Sequence, residues 1–164
     1  MILYRIPLIE SSGLCLLPVD RLIDYPPTSR NEKIANYLRL IHICELRGSG
    51  IDNAVKAIEE HQLPAPQFIA EDRFTKVIMY AHKSLSRMDK TEKIRACYLH
   101  SVICYHMHRS PMNNKSLRDR FLLTENQISV ATKIINDTIE AGLIKLQSPE
   151  TASKRYASYL PYWV

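Results

Sequence analysis

The sequence predicts an α+β fold in two parts: an α/β segment, then a unit of three helices and a hairpin. Apolar residues recur at intervals of three and four in five segments, which predicts amphipathic helices. Four short runs alternate or are continuously apolar and are predicted strands: 2–9, 74–81, 143–146 and 156–162. The charge is also uneven. Residues 1–82 carry 9 Lys/Arg and 10 Asp/Glu, whereas residues 83–164 carry 13 and 7. The excess positive charge of the second part favours a polyanionic partner.

The first part, residues 1–83, begins with the strand at 2–9, which we expect to end in a turn at Ser11-Ser12-Gly13. Asn31 is a favourable N-cap for a helix that runs to about Leu46. Its predicted inner face consists of Ile34, Leu38 and Ile41.

Gly48-Ser49-Gly50 stops this helix, and a second helix starts near Ile51 and ends near Gln62. Asp52 lies in its first turn, and Val55 and Ile58 form its inner face. Pro64 and Pro66 prevent its continuation. The strand at 74–81 completes the segment.

Residues 84–90 are polar and are predicted to link the two parts. In the second part, 91–164, Thr91 is the expected cap of a long helix that ends near His108. Its predicted apolar face is Ile94, Cys97, Tyr98, Val102 and Tyr105. Pro111 ends the segment.

Two shorter helices follow at about 114–122 and 126–141, joined by a turn at 123–125. The first is expected to bury Leu117, Phe121 and Leu122. In the second, the buried stripe is predicted to be Ile128, Ala131, Ile135 and Ile139, widened by Ile134, and Asn126, Ser129, Lys133 and Asn136 occupy the opposite face. Gly142 then suits a C′ position. A strand at 143–146, a turn at 148–155 and a returning strand at 156–162 complete a winged helix-turn-helix pattern.

In this pattern the exposed face of the last helix is the candidate for reading DNA bases in the major groove. Its short or forked polar side chains are Asn126, Gln127, Ser129, Lys133 and Asn136. Phosphate contacts are predicted for basic residues on the preceding helix and at the wing: Lys115, Arg118, Arg120, Lys154 and Arg155. Winged helices also serve as protein-docking modules, and this alternative stays open because the last helix carries no arginine.

Several segments resemble a known family of bacterial and archaeal transcriptional regulators that are often labelled RecG-related ATP-dependent DNA helicases. The resemblance spans nearly the whole chain. It is carried by 30–35 (RNEKIA), 45–52 (ELRGSGID), 93–98 (KIRACY), 112–121 (MNNKSLRDRF) and 159–163 (YLPYW).

The resemblance implies a three-part protein with a Schlafen/AlbA-type N-terminal domain, a divergent nucleotide-binding domain of the histidine-kinase ATPase type, and a winged helix. This chain is similar to the end of the second part and all of the third, so a truncated product is expected. Gly13, Gly48, Ser49 and Gly50 would be the remnant of a glycine box. Because the upstream Asn helix is missing, we expect no ATP cofactor in this chain.

Other functions have little support. No GxxxxGK[ST] motif and no catalytic triad or paired-carboxylate spacing occurs, so an enzyme is not expected. Cys97, His100, Cys104 and His108 share one helical stripe, but four ligands spread along one straight helix cannot surround a tetrahedral ion, and no metal is expected. The four cysteines lack CxxC spacing, and there is no signal peptide or apolar run of about 20 residues, which favours a cytoplasmic protein away from membranes.

The sequence therefore leaves three hypotheses. The first is double-stranded DNA binding by the C-terminal region of a transcriptional regulator, for which a homodimer is the expected assembly. The second is a protein–protein or oligomerisation module that docks the N-terminal domains of a larger helicase-related protein. The third, a nucleotide-driven enzyme, has the least support because the motifs are missing.

Overall fold

The computed structural model describes residues 8–12, 17–26, 28–44, 48–148 and 157–164. Within them the fold is α+β, as predicted. The helices are α1 Glu32–Leu40, α2 Gly50–Glu60, α3 Lys90–His106, α4 Asn114–Arg120 and α5 Ile128–Glu140. The strands are β1 Leu8–Ser12, β2 Gln67–Ala70, β3 Phe74–Ile78, β4 Met112–Asn113, β5 Ile144–Leu146 and β6 Ser158–Pro161.

The first sheet is antiparallel, with the strand order β1-β3-β2. In its register Leu8 of β1 and Gln67 of β2 both pair with Ile78 of β3. Strand β1 continues through Ser11 and Ser12, so the turn predicted there is wrong for these two residues. Strand β2 was not predicted; it forms a hairpin with β3.

The second sheet has the order β4-β6-β5 and is also antiparallel. Tyr159 in the central strand pairs with Met112 on one side and Leu146 on the other. The two-residue strand β4 was not predicted. Otherwise the order α3, α4, α5, β5, β6 agrees with the expected order of helices and hairpin strands.

Helix α3 lies at the centre of the molecule. All residues from Ala96 to Cys104 are buried, so the single apolar face that was predicted for this helix is wrong. The core around it combines residues of both predicted parts, including Val55 and Ala65 from the first and Leu117 from the second. No helix in the described ranges is long and apolar enough to cross a bilayer.

Helix starts follow local capping chemistry. Asn31 caps α1 as predicted, with its Oδ1 accepting the Ile34 N–H at 3.0 Å. Helix α3 is capped by Asp89 and not by Thr91 as predicted. Asp89 accepts from the Glu92 N–H at 2.8 Å, and the Glu92 carboxylate accepts from the Asp89 N–H at 2.8 Å. This reciprocal capping box satisfies two backbone N–H donors at the start of the helix. Thr91 does not satisfy these two donors.

Helix ends are mostly Schellman motifs, in which two backbone bonds close over a left-handed residue. Gly142 (φ 72°) occupies this position after α5, as predicted: Gly142 N–H donates to Ile139 O and Leu143 N–H to Thr138 O. The same position is held by His42, Gln62 and Leu122 after α1, α2 and α4. Helix α1 therefore ends at Leu40 instead of near Leu46.

The structure corrects predicted apolar residues in three further helical segments. In α5 the predicted Ile128 and Ile139 are exposed. The buried face is therefore rotated about the helix axis relative to the predicted one and consists of Ala131, Ile134, Ile135 and Thr138. Helix α1 has no buried residue, and Ile34 is 56% exposed. Leu122, which was expected in the core, is 74% exposed because its left-handed backbone turns it outward.

Five of the seven residues of the predicted linker at 84–90 are exposed. It contains a short 3₁₀ helix at Leu85–Arg87, and Met88 is buried. Next to it Lys83 Nζ lies 2.6 Å from an oxygen of the buried Glu92 side chain.

Candidate nucleic-acid interface

The polar face of α5 is exposed along its length. We call Asn126, Ser129, Lys133 and Asn136 the α5 ridge; all four are exposed, and the opposite face of the helix is buried. The ridge begins in the 3₁₀ turn Glu125–Gln127 that leads into the helix. Its side chains are therefore available to a partner in solution, as the sequence predicted.

Asn114, at the start of α4, fixes the two helices against each other. Its Nδ2 donates to Thr132 Oγ1 at 3.0 Å and to the Ile128 carbonyl at 3.3 Å. Its Oδ1 accepts from Arg118 Nε at 3.0 Å. The half-buried Arg118 is thus held beside the first turns of α5. Neither Asn114 nor Thr132 was predicted as a site residue, since an Asn at a helix start usually indicates capping alone.

Gln127 has a different role from the predicted one. Its Oε1 accepts from the Thr124 N–H at 3.0 Å and from Thr124 Oγ1 at 3.2 Å, closing a capping box at the start of the 3₁₀ turn. An amide engaged in this way cannot present its oxygen to a base edge. The T-x-x-Q spacing of Thr124 and Gln127 is typical of a capping box and could have predicted this role from the sequence.

Arg120 is not available to phosphates, so its prediction as a contact residue is wrong. It is 5% exposed, and its Nη2 donates to the Leu63 carbonyl at 2.6 Å. Its Nε lies 3.5 Å from Glu59 Oε1. Its guanidinium also lies 5.3 Å from the centre of the Phe121 ring. Lys115 on the same helix is exposed, as a phosphate contact requires.

Glu59 continues this buried polar chain to α3. Its Oε2 lies 2.9 Å from His100 Nδ1, and His100 Nε2 lies 3.5 Å from Cys104 Sγ. Burial alone would lower the pKa of His100, but its hydrogen bonds with Cys104 and Glu59 outweigh burial and raise it to about 9. The chain joins α2, α3 and α4 through side chains that solvent barely reaches.

Acidic side chains lie near both ends of the α5 ridge, whose one charged member is Lys133. Lys133 faces the same open groove as Glu125, Asp137 and Glu140. Asp137 is neutralised in part by Lys90, whose Nζ lies 3.0 Å from its Oδ1. The acidic side chains at 137 and 140 make the C-terminal end of α5 unfavourable for a polyanion.

The glycine segment before α2 forms a turn. Gly48 has φ 71°, Ser49 is the N-cap residue, and Gly50 opens the helix with free space around its Cα. Asp52 in the first turn is buried, and its Oδ2 lies 3.6 Å from His106 Nε2. Burial raises the pKa of Asp52. Its carboxylate occupies the helix start where an anion would otherwise be favoured.

Three predicted site residues, Gly13, Lys154 and Arg155, lie outside the described residues. Among those described, no group of three or more His, Cys, Asp or Glu side chains could hold a metal ion.

The first part of the chain is similar to a known protein family. Residues 5–79 match the family model described as "Putative ATP-dependent DNA helicase recG C-terminal". The matched segment contains β1, α1, α2, β2 and β3, and its similarity supports a relation of this part to the RecG-related family. No curated protein and no solved structure matches the chain.

Proposed function

We propose that residues 90–164 form a winged helix-turn-helix that binds double-stranded DNA, in a transcriptional regulator related to the RecG-type family. The observation that carries the proposal is the α5 ridge, polar and exposed, on a helix whose other face is buried. The order of elements and the strand order β4-β6-β5 are compatible with this module.

In the proposed complex the N-terminal turns of α5 enter the major groove. Asn126 and Ser129 contact base edges, because a carboxamide can pair bidentately with adenine and a hydroxyl with either type of base. Lys133, Lys115 and Arg118 contact phosphates, and Asn136 contributes less because it lies nearer to Asp137 and Glu140. Lys154 and Arg155 would contact the backbone from the wing, a role that only the sequence supports.

Base readout tests this proposal. We expect the intact chain to select a preferred sequence from a pool of random duplexes. Asn126→Ala should relax that preference at one position, at a cost of about 1–3 kcal/mol. Asn53→Ala removes another exposed amide, from α2, and should leave the preference unchanged. A wild-type chain that enriches no sequence, or an Asn126→Ala variant with unaltered preference, would contradict the assigned readout.

A second candidate function, self-association or protein docking, is favoured by α1. This helix and the turn after it expose Ile34, Tyr37, Leu40, Ile41 and Ile43. Contiguous apolar surface of this kind marks interaction sites. If this surface forms a homodimer, sedimentation should show a dimer whose fraction rises with protein concentration. Leu40→Glu should abolish this dimer, whereas Leu122→Glu, at an exposed leucine elsewhere, should not. A monomer at all concentrations would exclude the homodimer.

A further inference from the structure

Two apolar side chains are exposed in the first turn of α5, beside the α5 ridge. Ile128 is 50% exposed and Val130 is 39% exposed. Ile128 faces the same open groove as Asn126, Ser129 and Lys133. A helix turns by about 100° per residue, so Ile128 and Val130 lie on opposite sides of Ser129. The polar N-terminal turns of α5 therefore carry an apolar side chain on each flank.

The position of Ile128 is fixed before any partner binds. The Ile128 carbonyl accepts from Thr132 Oγ1 at 2.9 Å and from Asn114 Nδ2 at 3.3 Å, and the second bond ties this turn of α5 to α4. Ile and Val also have one strongly preferred rotamer in a helix, because both are branched at Cβ. Little side-chain entropy is therefore lost when a partner packs against Ile128 or Val130.

The base pairs that suit this surface follow from its chemistry. In the major groove only thymine presents a methyl group, which contacts apolar side chains, and an asparagine carboxamide pairs with adenine N6 and N7. The commonest guanine contact is made by Arg or Lys. Residues 125–140 contain no arginine, and their one cation, Lys133, is assigned to a phosphate above. The surface thus has a carboxamide and two apolar groups for A·T pairs and no further cation for guanine.

We infer that α5 selects a duplex rich in A·T pairs, in which Asn126 pairs with adenine and Ile128 and Val130 contact the 5-methyl groups of thymine. This inference rests on the proposed function and deepens it, because it names the base pairs that α5 reads. Ile128, which the sequence placed in the core, is in this reading a specificity-determining residue.

Removal of single methyl groups from the DNA tests the thymine contacts. Duplexes that the intact chain enriches from a random pool are resynthesised with deoxyuridine in place of each thymine in turn, which removes only the 5-methyl group. Fluorescence anisotropy should show that the affinity falls about fourfold at the contacted thymines, as expected for the loss of one buried methyl group.

Three variants assign each methyl contact to a side chain. Ile128→Ala and Val130→Ala should each bind the thymine and deoxyuridine duplexes equally at the position that the removed side chain contacts. Ile139→Ala, at an isoleucine that is 38% exposed near the other end of α5, should keep the wild-type losses. All three positions are exposed in the first or last turn of the helix, so the variants should fold normally.

The possible results distinguish this inference from the proposed function. Enrichment of no sequence would contradict both. A preferred site composed mainly of G·C pairs, such as one in which Glu125 accepts from cytosine, would overturn the inference and leave DNA binding intact. Equal affinity for thymine and deoxyuridine at every position, or losses that persist unchanged in both Ile128→Ala and Val130→Ala, would overturn the thymine contacts.

Discussion

Arg120 and Glu59 form a buried ion pair between α4 and α2, with Nε 3.5 Å from Oε1 and the two side chains only 2% and 13% exposed. The pair joins the segment that matches the helicase-related family to the unit proposed to bind DNA. Arg120 is further fixed by its 2.6 Å bond to the Leu63 carbonyl. A residue that the sequence places on a DNA-facing helix therefore stabilises the contact between the two parts.

Removing the anion of this pair should destabilise the fold strongly. Glu59→Ala leaves the buried Arg120 and His100 without their carboxylate, and breaking a buried pair in this way costs about 3–5 kcal/mol. Urea denaturation measures the change. The control, Glu60→Ala, removes the neighbouring exposed carboxylate, 3.7 Å from Lys56, and should cost less than about 1 kcal/mol. Equal unfolding midpoints for the two variants would contradict a structural role for the pair.

The stability of the fold should fall as the pH rises from neutral. Hydrogen bonds with Cys104 and Glu59 outweigh burial and raise the pKa of His100 to about 9, above its value of about 6.5 in an unfolded chain. A raised pKa means that the charged form is favoured in the folded state. The contribution of His100 to the free energy of unfolding is complete below about pH 6.5. It is lost as the pH rises through about 9.

The comparison with His100→Asn isolates this contribution from those of other groups. The difference in unfolding free energy, wild type minus variant, should be largest near pH 6 and should shrink toward pH 9 and above. A difference that is constant, or that grows with pH, would show that His100 is uncharged in the fold.

A fragment of residues 84–164 should not fold cooperatively on its own. The Tyr98 hydroxyl donates to the Asp20 carbonyl at 2.6 Å, and Trp163 Nε1 donates to that hydroxyl at 3.3 Å. Arg21 also lies over the Trp163 ring at 4.5 Å. Without the first part, α3 loses one side of its core. Near-ultraviolet circular dichroism should show weak signals from Trp163 in the fragment, and a sharp thermal transition with native-like signals would refute this expectation.

Features set by neighbouring residues were predictable from the sequence. Asn31 signals a helix start because its side chain caps the next turn, and Gly142 signals a helix end because glycine tolerates a positive φ. The ends at His42, Gln62 and Leu122 carry no such signal, since these residues rarely adopt that conformation. Short strands such as β4 were missed because pairing with a distant strand defines them, not their own two residues.

In the candidate site, too, features set by neighbouring residues were predictable and features set by distant residues were not. The exposure of Asn126, Ser129 and Lys133 follows from helical periodicity and was predictable. The burial of Arg120 was not, because Glu59 and Leu63 are about 60 residues away along the chain and only the folded core brings them to α4. The bond from Asn114 to Thr132 likewise depends on how α4 and α5 pack.

The salt dependence of duplex binding tests the role of the α5 ridge most directly. Fluorescence anisotropy of a labelled duplex should show that the logarithm of the association constant falls linearly with the logarithm of salt concentration, from about 50 to 200 mM. Lys133→Ala should reduce the slope by about 1, since one phosphate contact is lost, and Lys56→Ala on α2 should leave it unchanged. Absence of binding at about 50 mM salt, or equal slopes for Lys133→Ala and wild type, would contradict the account.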